Sequence, residues 1–194
     1  MEIGGNNMQT ERREVLLHAL QDDNVKVRRA AAAALEAIDS RYSLSVIREK
    51  LAADDRQQRV AAVYALRLLD SSESVDLLLG LLNDSDEDVR AVAVQVLGEK
   101  RLPQALPALL QALKDPVVAV AVYAALALGG YRDVRIIPYL EVVCRHERSE
   151  LTCAALAALG VMGFAQVEAL LCEYARDQRP DVRIAALTAL GNLH

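Results

Sequence analysis

The side chains of this 194-residue chain best suited to metal binding or nucleophilic attack are His18, His146 and His194 and Cys144, Cys153 and Cys172. A metal site needs several such ligands converging, and a cysteine nucleophile needs an activating base beside it. The histidines are far apart with no paired spacing, and His146-Glu147 stands alone as a His-Glu pair. One histidine cannot complete a metal site, so His146 reads as a solvated turn residue. Cys144 lies where, at constant steps, Leu20, Leu51, Leu82 and Leu113 precede it, which marks it as a core residue. Cys153 and Cys172 have no recurring His or Asp partner. Gly129-Gly130 and Gly160 with Gly163 follow helical rather than strand patterns and so do not form a phosphate loop. The expectation is therefore no catalytic, cofactor-binding or metal site.

The elements that carry these residues follow from a repeat. Starting at Leu35 and moving 31 residues at a time gives Leu66, Leu97, Leu128, Leu159 and Leu190. Four residues earlier the column is Ala31, Ala62, Ala93, Ala124, Ala155 and Ala186. Another reads Leu16, Ile47, Leu78, Leu109, Leu140 and Leu171, and another Arg28, Arg59, Arg90, Ala121, Thr152 and Arg183. No insertion is needed, so six repeats tile the chain as 10–40, 41–71, 72–102, 103–133, 134–164 and 165–194, after a tail at 1–9. Within a repeat the apolar spacing marks two amphipathic helices, for example Ser74 to Leu82 and Glu87 to Gly98. Acidic turns such as Asp84 to Asp88 join them and suit the N-terminus of the second helix. Gly98, Gly129, Gly160 and Gly191 fall where a left-handed residue commonly ends a helix, and Pro107 and Pro138 fall near the start of a first helix. The unbroken alanine predicts a close helix crossing in every repeat. A pair this small cannot bury its apolar face alone, so stability must come from stacking.

Composition agrees. With 32 Ala, 31 Leu and no Trp, the chain favours helix over strand. Its 22 basic and 27 acidic residues, formal net charge −5, disfavour a phosphate backbone as partner. No segment matches a membrane span, and Met1-Glu2-Ile3-Gly4-Gly5-Asn6-Asn7 lacks the basic and apolar regions of a signal peptide. Three late cysteines are too few for a disulfide framework, so a reducing cytoplasmic setting is expected.

The run Asp84-Ser85-Asp86-Glu87-Asp88-Val89-Arg90-Ala91-Val92-Ala93-Val94-Gln95-Val96-Leu97-Gly98 resembles the short HEAT-like repeat associated with phycobilisome (bilin) lyases, and Asp177 to Gly191 matches nearly as well. The resemblance covers residues 10–194 and implies an all-α, right-handed α-solenoid of six helical hairpins. It also implies that the motif Asp and Arg tie successive repeats together, here Asp84, Arg90, Asp177 and Arg183, with Arg28 and Arg59 in the same arginine column. HEAT-like deoxyhypusine hydroxylases bind iron through several His-Glu pairs, whereas this chain has one. HEAT-like DNA glycosylases use a basic face with aromatic residues, and here Lys and Arg do not cluster.

In such stacks the second helices line the concave side, again by resemblance. The columns pointing there include Val60, Val122 and Cys153, and Tyr64, Gln95 and Leu126, with Tyr123 beside them. A solvated face normally carries Lys, Glu and Arg, and this one is mostly apolar, which marks a binding surface. The expected function is a non-enzymatic scaffold that binds a protein partner or amphipathic peptide through this face, with Tyr64 and Tyr123 as anchors. The alternative is a bilin-lyase-like chromophore attachment factor or chaperone. A homodimer through the groove or the last repeat is a further expectation, because Ile184, Leu187, Leu190 and Leu193 leave the end apolar; the same feature suits a piece of a longer array. Repeats four and five depart from the pattern: Ala121 and Thr152 replace the arginine, and His146 replaces Asp. Either this is drift, or packing is relaxed there for a ligand.

Overall fold

A computed structural model of the chain describes residues 14–193, with the side chains of 38–43 excluded. The tail at 1–9, the start of the first repeat at Thr10, and His194 lie outside the described residues. All regular structure among the described residues is helical, and the fold is an α-solenoid. The backbone divides into two compact units, Met1–Ala52 and Ala53–His194.

In the first unit residues 14–19 are helical, and a turn leads to helix α1 (Val25–Leu51). Asn24 starts α1, its side chain accepting the Lys26 N–H at 2.9 Å, and Arg48 and Lys50 complement the negative C-terminal end. Ala31, Leu35, Leu44 and Ile47 are buried. The helix break expected between the first two repeats, at 40/41, is absent. Residues 36–43, Glu-Ala-Ile-Asp-Ser-Arg-Tyr-Ser, contain neither Gly nor Pro, so nothing stops the helix there.

The second unit holds α2 (Arg56–Leu66), α3 (Ser72–Leu81), α4 (Glu87–Lys100), α5 (Leu106–Ala112), α6 (Val118–Gly129), α7 (Ile137–Cys144), α8 (Ser149–Met162), α9 (Glu168–Tyr174) and α10 (Pro180–Leu190). Single 3₁₀ turns, Pro103–Ala105, Val134–Ile136 and Ala165–Val167, lead into α5, α7 and α9. Pro107 and Pro138 occupy the first turns of α5 and α7, where a missing N–H costs little. The second helices α2, α4, α6, α8 and α10 stack on one another in order, and each first helix (α3, α5, α7, α9) packs on the second helix of its own repeat. First helices meet one another far less. The second helices thus form a closely packed layer beside a looser layer of first helices.

The alanine column is buried throughout, from Ala31 to Ala186, and Leu66, Leu97, Leu128 and Leu159 are fully buried. The glycine column does something other than the expected capping. Among the described residues, those with positive φ are Arg101 (49°), Arg132 (49°) and Gly163 (73°), three positions beyond Gly98, Gly129 and Gly160. Those three glycines sit at the crossings of successive second helices. A Cβ on Gly98 would stand 2.5 Å from Ala127 Cβ, one on Gly129 2.8 Å from Ala158 Cα, and one on Gly160 2.6 Å from Ala189 Cα. Gly191 has nothing nearer than 3.5 Å and no positive φ. Both a left-handed cap and a close crossing require the absence of a Cβ, so the residue type alone could not separate them.

Candidate functional site

Two features stand out in the second unit: the outward face of the second helices, and the row of polar contacts along the turns that join first to second helices.

The turn row starts from the motif Asp. Asp84, Asp115 and Asp177 each accept the backbone N–H two residues on, at 2.8, 2.9 and 2.8 Å, and so shape the turn before the second helix. Asp22 does the same in the first unit, at 2.7 Å. The motif Arg then acts twice. Arg90 donates from Nη1 to the carbonyls of Asp84 (2.9 Å) and Ser85 (3.3 Å) in its own repeat, and from Nε and Nη2 to both Asp115 oxygens of the next, at 2.8 and 3.0 Å. Arg59 repeats this with the carbonyls of Ala53 and Asp54 and with Asp84, at 3.1 and 3.2 Å. These bidentate pairs are nearly buried, with Arg90 and Asp115 side chains 12% and 10% exposed. Burial alone would raise the Asp115 carboxyl, but the hydrogen bonds from Arg90 and the Val117 N–H prevail and hold it below the usual carboxylate range. Arg28 and Arg183 make the contacts to their own turns, with the carbonyls of Asp22 and Asp23 and of Asp177 and Gln178.

Where the arginine is missing, the two junctions differ. At the fifth repeat, Thr152 donates its hydroxyl to the His146 carbonyl at 2.9 Å. Arg179, from the sixth repeat, supplies the rest. It pairs with both Asp177 oxygens (2.9 and 3.0 Å) and donates to the carbonyls of His146 and Glu147, both at 3.3 Å. Its hydrogen bonds hold the Asp177 carboxyl down at about 2. Arg179 thus does from the next turn what a motif arginine at position 152 would do. Sequence reasoning missed it; the available cue was a basic residue two places after Asp177 in a column that holds Asn24, Asp55 and Asp86 earlier. At the fourth repeat no described side chain replaces the arginine. His146 keeps the turn-shaping role, its Nδ1 accepting the Arg148 N–H at 3.1 Å, but offers no carboxylate. An open pocket of about 730 Å³ lies at this junction, with Ala121 and His146 in its wall.

The second-helix face carries Val60 and Tyr64 on α2, Gln95 on α4, Val122, Tyr123 and Leu126 on α6, and Cys153 on α8. Val60, Tyr64, Gln95 and Tyr123 come together around one groove of about 480 Å³, with an Arg56–Asp88 ion pair also in its lining. Val122, Leu126 and Cys153 lie outside that lining. Tyr64, Tyr123 and Leu126 are 44%, 42% and 47% exposed, while Val60, Gln95, Val122 and Cys153 are half-buried. Gln95 donates to Glu99 at 3.3 Å.

Neither Cys144 nor Cys153 sits in an activating environment. Cys144 is buried, which pushes its thiol up to about 12, and burial raises Cys153 as well. Cys172 is exposed on a first helix. Among the described residues no three His, Cys, Asp or Glu side chains are placed to hold a metal ion, and no helix is long and apolar enough to cross a membrane.

A stack of helical pairs, sealed along one edge by arginine–aspartate contacts, defines a class of repeat protein. The chain belongs to the HEAT-repeat family, whose pattern matches residues 13–92 and 76–152. No curated protein matches it in sequence. Among solved structures it is similar to that of the complex of CpcE and CpcF of phycocyanin lyase from a Nostoc species, at 24% identity and TM-score 0.64, covering 77% of this chain and 64% of that one. The chain therefore spans less than two thirds of that protein's length. Escherichia coli YibA is similar at 18% identity and TM-score 0.64, covering 98% and 75%. An engineered protein is similar at 19% identity and TM-score 0.57, covering 93% and 95%. At these identities the likeness shows the fold.

Proposed function

We propose that this chain is a non-enzymatic interaction scaffold that binds a protein partner, in its simplest form an amphipathic helix, across the second-helix face of the second unit. The observation that carries this reading is the groove that gathers Tyr64 and Tyr123 from α2 and α6, both more than 40% exposed, around half-buried Val60 and Gln95. Exposed aromatic residues on rigid helices bury large apolar area at small entropic cost, which makes them natural anchors. The regular stacking beneath fixes their spacing. The Tyr64→Glu/Tyr123→Glu variant should keep its helical circular dichroism and lose specific partners in comparative affinity capture. An unchanged capture profile from a folded variant would refute the groove.

A second reading, a bilin-lyase-like chromophore attachment factor, rests on the fold likeness to the phycocyanin lyase complex. Visible absorbance of the purified protein with added bilin discriminates the two: a shifted, protein-bound spectrum supports this reading, and a free-bilin spectrum rejects it.

A further inference from the structure

The junction between the fourth and fifth repeats differs from its neighbours in several columns at once. Ala121 stands where Arg59 and Arg90 reach across, His146 where Asp84 and Asp115 receive them, and Val142 where Gly80, Gln111 and Glu173 stand in other repeats. All three line the same pocket. The next junction also lacks its arginine, yet Arg179 closes it. Arg148 occupies the equivalent place one repeat earlier and does not close the gap; with no carboxylate at 146 it pairs instead with Glu150, at 3.6 Å. One gap is repaired and the other left open with apolar walls. Val142 and Tyr139 there are 70% and 51% exposed, against a floor of buried Leu113, Val143 and Leu151.

The polar groups of the pocket have one sign to offer. Lys114 makes no ion pair among the described residues and is exposed at the wall. His146 uses Nδ1 as acceptor, which leaves Nε2–H as a donor. The one carboxylate in the lining, Asp115, is already engaged by Arg90 and by the Val117 N–H. The volume, about 730 Å³, lies in the range of small-molecule sites, roughly 300–1,000 Å³, with mainly apolar lining and a few placed polar groups.

We propose that this pocket binds a small amphipathic anion, an alkyl body of medium length bearing one carboxylate. The body lies between α5 and α7 against Leu113, Val142 and Val143, and the head meets Lys114 and His146. The site is separate from the second-helix groove and does not depend on the scaffold reading.

The test titrates the full chain with dodecanoate below its micellar concentration, read by calorimetry and by amide chemical shifts, with dodecyltrimethylammonium as the cation of the same length. Saturable dodecanoate binding is expected, with shifts confined to residues 110–121 and 138–151 and the cation at least tenfold weaker. Lys114→Glu should weaken dodecanoate and favour the cation. The Ala121→Arg/His146→Asp variant rebuilds the regular contact, so it should stay folded and lose dodecanoate binding at least tenfold. Equal binding of both head groups, or an unchanged affinity in the rebuilt variant, would overturn the proposal. So would a change in sedimentation of the rebuilt variant without any dodecanoate binding by the native chain, which would assign the pocket to a second copy.

Discussion

The arginine–aspartate contacts have a cost when one member is lost, because the partner stays nearly buried and unpaired. Arg90→Ala removes four donated hydrogen bonds and strands Asp115, so it should lower unfolding stability by about 2–4 kcal/mol. Arg56→Ala, which breaks the pair with Asp88 whose side chains are more than half exposed, should cost less than about 1 kcal/mol. Urea unfolding of both variants checks the contrast. Acid provides a second check on the repaired junction. Arg179 holds the Asp177 carboxyl at about 2, below its unfolded value near 4, so the contribution is complete above about pH 4 and is lost as pH falls toward 2. Asp177→Asn should therefore flatten the fall of stability between pH 4 and 2, measured by denaturant melts at each pH.

At the scale of elements, what the letters revealed depended on whether one residue type serves one physical role. The alanine and leucine columns pointed to the buried seam because apolar residues recurring every 31 positions meet the same neighbours in each repeat, and Ala93, Ala124, Leu97 and Leu128 are indeed fully buried. The glycines misled because a cap and a close crossing both exclude a Cβ, and the true left-handed positions are mostly arginine, at Arg101 and Arg132. The fused helix α1 escaped notice because the column pattern continues through 36–43 while the helix-stopping residues do not. The glycine assignment predicts opposite signs for the same substitution. Gly129→Ala places a Cβ 2.8 Å from Ala158 backbone and should destabilise by about 1–3 kcal/mol, although alanine is the better helix former. Gly80→Ala, inside α3 with no atom within 4 Å of its Cβ, should stabilise by about 0.5–1 kcal/mol. Thermal melts of the pair decide it.

For the molecule as a whole, the fold was legible and its exceptions were less so. The sequence marked Ala121, Thr152 and His146 as departures but could not show that Arg179 closes one junction while the other stays open, since that depends on reach across turns 33 residues apart. It marked Tyr64 and Tyr123 as neighbours on one face, while the groove they share with Val60 and Gln95 excludes Val122, Leu126 and Cys153 from its lining. The scaffold reading therefore rests on the second-helix layer, and its most direct test is photo-crosslinking from single positions. A crosslinking residue placed at 64 or 123 should join the chain to a partner protein, while one at Asp76, exposed on first helix α3, should not. Crosslinks of equal yield from position 76, or none from 64 and 123, would contradict the account.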